Sequence, residues 1–318
     1  MTKHKKIVVT AIAVFCALLL GLGSFFGIRA YQNRDWQFTV ADTLPDGEGK
    51  SATVILLGGQ SNASGCSRDD YLKKSVSAEK YAEYEAGYDN VYINYYATGT
   101  NESRAFVKCA TKQGERIDFE GFGPELGLAE KLHAERPNET FFIIKCAWGG
   151  TDLFGQWLSP SSDGETGELY KAFVKYVKTS IKYLRSKNYD VKIEAMCWMQ
   201  GESDSFSTEH ATGYAEHLRN LIADIRDEFS RYAADDGIAF IDACIADNPV
   251  YWVFCDMVNA SKQQVAGDSP LNVLIDTNAE GLTTKNEPEE NPDQAHYDAL
   301  SEIKLGHLFG AEVLKFCE

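Results

Sequence analysis

Histidine is scarce in this chain, and the usual spacings for metal and nucleotide chemistry are missing. The 318 residues include six histidines and eight cysteines. No two cysteines stand as Cys-x-x-Cys, and no Cys/His grouping has zinc-site spacing, so nothing points to a structural zinc module. The first strand-like run is not followed by Gly-Lys-Ser or Gly-Lys-Thr and carries no GxGxxG, so phosphate-loop and dinucleotide readings lose ground. Positive charge is also short. Lysine and arginine total 31 against 47 aspartates and glutamates, a net charge of -16 that repels nucleic acid and anionic membrane surfaces. There is no internal repeat, no low-complexity tract and no second block of composition. The length leaves ample chain for one large domain with a sizeable core.

What is present begins with an apolar run. Lys3, His4, Lys5 and Lys6 precede residues 7–28, which carry no charge, and Arg29 ends the run. About twenty such residues match the hydrocarbon thickness of a bilayer, and basic residues on the short side keep that end in the cytoplasm. The expected organisation is a transmembrane anchor at 1–32, a polar spacer at 33–50 containing Pro45-Asp46-Gly47, and an extracytoplasmic domain at 51–318. The competing reading is a cleaved signal peptide and a secreted product. The run is long for one, and Ile28-Arg29-Ala30 is a poor cleavage site. Beyond the run lie seven cysteines, an odd number, so at least one stays unpaired. Cys66 with Cys109 and Cys244 with Cys255 are the disulfide pairs to test.

Within the domain, strand-like apolar runs recur at 54–57, 91–95, 140–147, 191–199, 238–243 and 271–275. Segments with helical spacing lie between several of them, at 124–134, 169–184 and 214–229, and an apolar helix is expected at 299–316. Strands alternating with helices predict an α/β fold whose central parallel sheet is covered on both faces.

The run at 54–57 breaks at Gly58-Gly59 before Gln60-Ser61-Asn62. A serine just past a central strand lies at the carboxyl edge, where open α/β sheets hold their ligands. Glycines allow the sharp turn, and a helix starting there would aim N–H groups at an oxyanion. Ser61 is therefore the candidate nucleophile, although the same residues also suit an ordinary turn. Two further strand ends carry similar punctuation, Trp148-Gly149-Gly150-Thr151-Asp152 and Gln200-Gly201-Glu202-Ser203-Asp204.

A serine needs a base, and with six histidines elimination is practicable. His4 precedes the membrane run. His133, His217 and His307 fall in helical segments, and His210 sits beside Glu209 in an expected loop. His296 follows Asp293 by three residues, a spacing at which the carboxylate can take the imidazole Nδ1–H and leave Nε2 facing the serine. The same pair also suits the start of the last helix. Gly149, Gly150 and the Gln200 amide are candidate oxyanion donors. Trp148, Trp157 and Trp198 either stack on sugar rings or fill the core.

Taken together, GQSN at 59–62, FGPELG at 122–127, WGGTDL at 148–153, WMQGESD at 198–204 and DQAH at 293–296 resemble the blocks of SGNH-type hydrolases. The branch they resemble is the sialic-acid-specific acetylesterase-like group, similar to carbohydrate esterase family 6. The match runs in order from about residue 54 to residue 314. The resemblance implies a three-layer flavodoxin-like fold and ester hydrolysis through an acyl-serine without metal or other cofactor. It also implies an acetylated carbohydrate, sialate or acetylxylan-like, as substrate. Carried over residue by residue, Ser61 is nucleophile, His296 base and Asp293 its orienting acid. The Ser61 N–H, a glycine N–H from Gly149-Gly150 and the Gln200 amide form the oxyanion hole, and Asn62 supports the site. Glutamine stands at 200 where the broader superfamily uses asparagine. Glu202 either braces its loop by hydrogen bonds or is itself the carboxylate that orients the histidine. Readings of other classes are an inactive cell-surface glycan-binding protein, or a lipase or thioesterase of the same superfamily.

Overall fold

The computed structural model describes residues 36–317. The membrane anchor expected at 1–32 lies outside the described residues. Among those described, no helix is long and apolar enough to cross a membrane. Residues 38–318 form one unit.

All six strand-like runs form strands: β1 (Ser51–Gly59), β2 (Tyr88–Ala97), β3 (Phe141–Ala147), β4 (Asp190–Met199), β5 (Ala239–Ala243) and β6 (Asn272–Ile275). They pair in parallel in the order β6-β5-β4-β1-β3-β2. Two short strands, Asn101–Glu102 and Val107–Cys109, add antiparallel pairing to β2 at the edge. Strands buried on both faces cannot alternate in polarity, which is why β3 is buried at every position and reads as a continuous apolar run.

Helices cover both faces. On one side α1 (Glu125–Glu135) meets β3 through the ion pair of Lys145 Nζ with Glu125 Oε2 at 2.7 Å, both side chains fully buried. On the other, α2 (Glu168–Ser186) buries Leu169, Phe173, Tyr176, Val177, Ser180 and Leu184, a stripe at helical spacing. Its Ser180 hydroxyl accepts from Asn94 Nδ2 of β2 at 2.9 Å. Two further helices, α3 (Thr208–Glu228) and α4 (Ala299–Val313), complete the layers that matter for the site.

Part of the stretch read as a spacer is held against this unit. The Ala41 N–H donates to the Arg104 carbonyl at 2.7 Å, and the Phe38 ring packs edge-on against Tyr96 and Tyr176. The disulfide expectation is corrected: Cys66, Cys109, Cys146, Cys197, Cys244, Cys255 and Cys317 are all free thiols, and all are buried. They behave as small apolar side chains.

The strand register sets the site. Gly59 of β1 lies opposite Ala147 of β3 and Met199 of β4, and Ala147 lies opposite Ala97 of β2. The chain therefore leaves four neighbouring strands at one level, at residues 60, 98, 148 and 200. The connection after β1 runs toward β2 while that after β4 runs the opposite way, so the crevice of this doubly wound sheet opens between β1 and β4.

Candidate active site

Gly59 makes the turn into Ser61, the candidate nucleophile. Its φ is +134°, and a Cβ there would lie 2.0 Å from the Met199 carbonyl oxygen, so only glycine fits. A single helical turn, Ser61–Ser64, follows, with Ser61 half-buried and at its first position. No side chain caps this turn. The Ser61 N–H at its first position lies where a helix supplies unsatisfied donors.

His296 stands on the loop before α4. Its Nδ1 contacts Asp293 Oδ2 at 2.6 Å, while Asp293 Oδ1 accepts the Ala295 and His296 N–H groups at 2.6 and 2.8 Å. Asp293 is not the cap of α4, whose N-cap is Asp298. Burial alone would lower the His296 pKa, but the bond and charge of Asp293, with the charges of Glu115 and Glu202, hold it above the ordinary histidine value of 6.5. Burial opposes the same coupling at Asp293, yet its carboxyl is held below 3.8 by the imidazole bond and the two N–H donors.

Asn62 joins the two halves. Its Nδ2 donates to Glu202 Oε1 at 2.7 Å and to the Ala295 carbonyl at 3.3 Å, and its Oδ1 accepts the Tyr297 N–H at 3.1 Å. The residues on either side of His296 are thus tied to the residue after Ser61. Of the two carboxylates open to the histidine in sequence, Asp293 takes its Nδ1. Glu202, 1% exposed and lifted above 4.5 by burial, braces Asn62 instead.

The donors divide differently from the expectation. Gln200 is fully buried, and its Nε2 donates to Asp204 Oδ2 at 2.6 Å and to the Thr151 carbonyl at 3.0 Å, with Gln60 Oε1 at 3.3 Å. Its Oε1 accepts the Tyr214 hydroxyl at 2.9 Å. Both amide hydrogens are spent, so Gln200 braces the loops and is not free to meet an oxyanion. The Gly149 N–H donates to Thr98 Oγ1 at 2.9 Å. That leaves Gly150, exposed and with φ +68°, as the glycine of the pair with an open N–H.

Asp204, Glu115 and Thr98 are residues the sequence did not single out. Asp204 accepts the Leu153 and Phe154 N–H groups besides Gln200, fastening the loop after β3 to that after β4. Burial, with the charge of Asp152, pushes its carboxyl up to about 7 despite these donors. Its place in the 198–204 block was the signal available for it. The tryptophans are settled: Trp148, Trp157 and Trp198 are buried, with Trp157 meeting the other two edge to face, so they fill the core and do not stack on sugars. The remaining described histidines have structural partners. His133 meets Asn90, His307 meets Glu130, His217 approaches Ser162, and His210, helical rather than in a loop, stacks on Phe154.

The family model "Carbohydrate esterase, sialic acid-specific acetylesterase" matches residues 51–315. A protein of Escherichia coli K12 described as a probable 9-O-acetyl-N-acetylneuraminic acid deacetylase is 25% identical over 192 residues, 54% of this chain and 56% of that one. The chain thus spans about half the length of that curated relative. The crystal structure of NanS aligns with a TM-score of 0.62 at 15% identity, over 86% of this chain and 98% of the other. A protein from Arabidopsis thaliana aligns at 0.59 with 20% identity, over 86% and 100%. A carbohydrate acetylesterase from Xanthomonas citri aligns at 0.53 with 16% identity, over 83% and 56%. At such identities these likenesses concern the α/β fold.

Proposed function

Because the chain belongs to the sialic acid-specific acetylesterase family of carbohydrate esterases, we propose that it is a serine O-acetylesterase that removes acetyl groups from glycans. The observation that carries this reading is the His296–Asp293 pair, tied by Asn62 to the turn that begins with Ser61. A protein that only bound glycans would have no use for an imidazole oriented by a carboxylate on a loop tied to a serine-bearing turn.

In this mechanism the Ser61 Oγ adds to the acetyl carbonyl as its proton passes to His296 Nε2. Asp293 keeps the proton of the histidine on Nδ1 and stabilises the imidazolium. The Ser61 and Gly150 N–H groups receive the oxyanion. Collapse breaks the bond to the sugar oxygen, which takes the proton from His296 and leaves as the alcohol. A water molecule, deprotonated by His296, then attacks the acetyl-serine. Acetate departs, and the proton returns to Ser61 Oγ. Each step uses groups of this chain, substrate and water.

The name of the Escherichia coli relative makes 9-O-acetylated sialic acid the first substrate to try, with acetylated xylan and peptidoglycan fragments beside it. Acetate release from one of these, abolished in Ser61→Ala and His296→Ala, is the expected result. Glycan affinity without acetate release would favour the binding protein. The apolar run at 7–28 and its basic flank support a single-pass anchor with the domain outside the membrane. Carbonate extraction and protease accessibility of intact cells test that placement.

A further inference from the structure

Glu115 is 3% exposed and has entered the chemistry above only through its charge on His296. Its N–H donates to the Gly65 carbonyl at 2.8 Å, and its own carbonyl accepts the Gly121 N–H at 2.9 Å. The Glu115 segment therefore closes against the residue that ends the nucleophile helix. The approach needs bare backbone, since a Cβ at Gly114 or Gly121 would lie 2.3 Å from the Gly65 carbonyl oxygen.

The carboxylate so delivered has two hydroxyl partners. Oε1 accepts the Ser64 hydroxyl, on the same turn as Ser61, and the Thr98 hydroxyl at 2.5 Å. Having given its hydrogen to Glu115, Thr98 Oγ1 presents a lone pair, and this accepts the Gly149 N–H at 2.9 Å. One carboxylate oxygen thus connects the nucleophile helix with the Gly149-Gly150 turn. Thr98 also holds a φ of +50°, a left-handed backbone that a β-branched residue rarely adopts. Strain of that kind persists where the surrounding structure fixes it for a purpose.

We propose that Glu115 is a positioning residue for ester hydrolysis, acting through the Thr98 hydroxyl to fix the Gly149 peptide and so aim the following Gly150 N–H at the oxyanion. Without the carboxylate, the Thr98 hydroxyl is free to rotate its hydrogen toward Gly149, and the peptide loses its anchor. The inference deepens the acetylesterase reading and rests on it.

The test uses the full chain with Glu115→Leu, Thr98→Val, Thr98→Ser and the double Glu115→Leu/Thr98→Val variant. Kinetics on 4-nitrophenyl acetate are read beside hydrogen–deuterium exchange of the Gly149 amide. Removing one oxyanion donor costs about 100- to 1000-fold, so misaiming one is expected to lower kcat by about 10- to 100-fold with KM within about twofold. Thr98→Val and Glu115→Leu, which leaves the Thr98 hydroxyl no acceptor on that side chain, should show that loss and faster Gly149 exchange. The double variant should be no worse than the poorer single, and Thr98→Ser should retain wild-type behaviour. A kcat unchanged in folded Thr98→Val, additive losses in the double, or unaltered Gly149 exchange overturns the proposal. If Glu115→Leu does not fold, the two Thr98 variants decide. If the wild-type chain cleaves no acetyl ester, the acetylesterase reading fails, while Gly149 exchange still reports whether Glu115 and Thr98 hold that peptide.

Discussion

Asn62 holds the Tyr297 N–H at 3.1 Å across 235 residues of sequence. Its amide also reaches the Ala295 carbonyl and Glu202, so one side chain grips the His296 loop on both sides of that histidine. Truncating it strands a buried carboxylate and loosens the base. Asn62→Ala is expected to lower stability by about 1–3 kcal/mol, the usual range for leaving a buried polar partner unpaired. It should also lower kcat on an acetyl ester. Thermal melting and steady-state kinetics on the same preparation check both, and an unchanged kcat would rule out the clamp.

The raised pKa of His296 has a direct kinetic reading. A base held above 6.5 stays protonated, and idle, to higher pH than an ordinary histidine. The acid limb of kcat/KM should therefore fall above pH 6.5. Asp293→Asn removes both the bond and the nearest charge, so it should move that limb downward and reduce the plateau. For stability, the raised His296 contributes fully below the unfolded pKa and loses that contribution as pH rises through the folded value. Melting temperature across pH 5–8, wild type against Asp293→Asn, reports this second effect.

Gly59 offers a backbone test. Adding a Cβ sets it 2.0 Å from the Met199 carbonyl oxygen at a φ of +134°. Backbone strain at such a site costs about 1–3 kcal/mol before the clash is counted. Gly59→Ala should melt well below the wild type and lose activity, because the strained residue lies two positions before Ser61, the proposed nucleophile. Wild-type melting and turnover would show the turn to be more tolerant than its geometry.

Glu302 provides a prediction away from the chemistry. It is fully buried in α4, both carboxylate oxygens lack hydrogen-bond partners, and burial with the charge of Glu125 pushes its pKa well above 4.5. Lys145, the nearby cation, is already paired with Glu125. The folded chain keeps this acid protonated at pH values where the unfolded chain ionises it, so the residue costs stability increasingly as pH rises above 4.5. Glu302→Gln should gain about 1–3 kcal/mol at pH 7, with the gain vanishing near pH 4. Chemical denaturation at the two pH values measures it, and a pH-independent difference would contradict the titration.

The six main strands were legible because a parallel strand buried on both faces has to be apolar almost throughout, and β3 is. The Asp293–His296 contact and the helical turn that starts at Ser61 were legible because glycine punctuation and a three-residue carboxylate–imidazole spacing carry their geometry locally. Gln200 shows where such reasoning stops. Residue type gives an amide donor but no direction, and its hydrogens turn inward to Asp204 and Thr151. Likewise Trp148, Trp157 and Trp198 suited a sugar platform or a core equally until burial separated the two. Glu115 and Thr98 were invisible for a different reason. They sit in short irregular segments with no periodicity, and only the common level of the strand ends brings them to Ser64 and Gly149.

The seven buried thiols turn the protein into its own unfolding clock. A thiol-reactive dye cannot reach a side chain closed off in the folded chain, and burial keeps even the Cys197 thiol, pushed well above its ordinary value, in its unreactive protonated form. Labelling must then wait for each region to open. Because Cys66 follows the Ser61–Ser64 turn, Cys146 and Cys197 sit in central strands, and Cys317 lies at the carboxyl end, mass-resolved labelling would time four separate parts of the fold without any introduced probe.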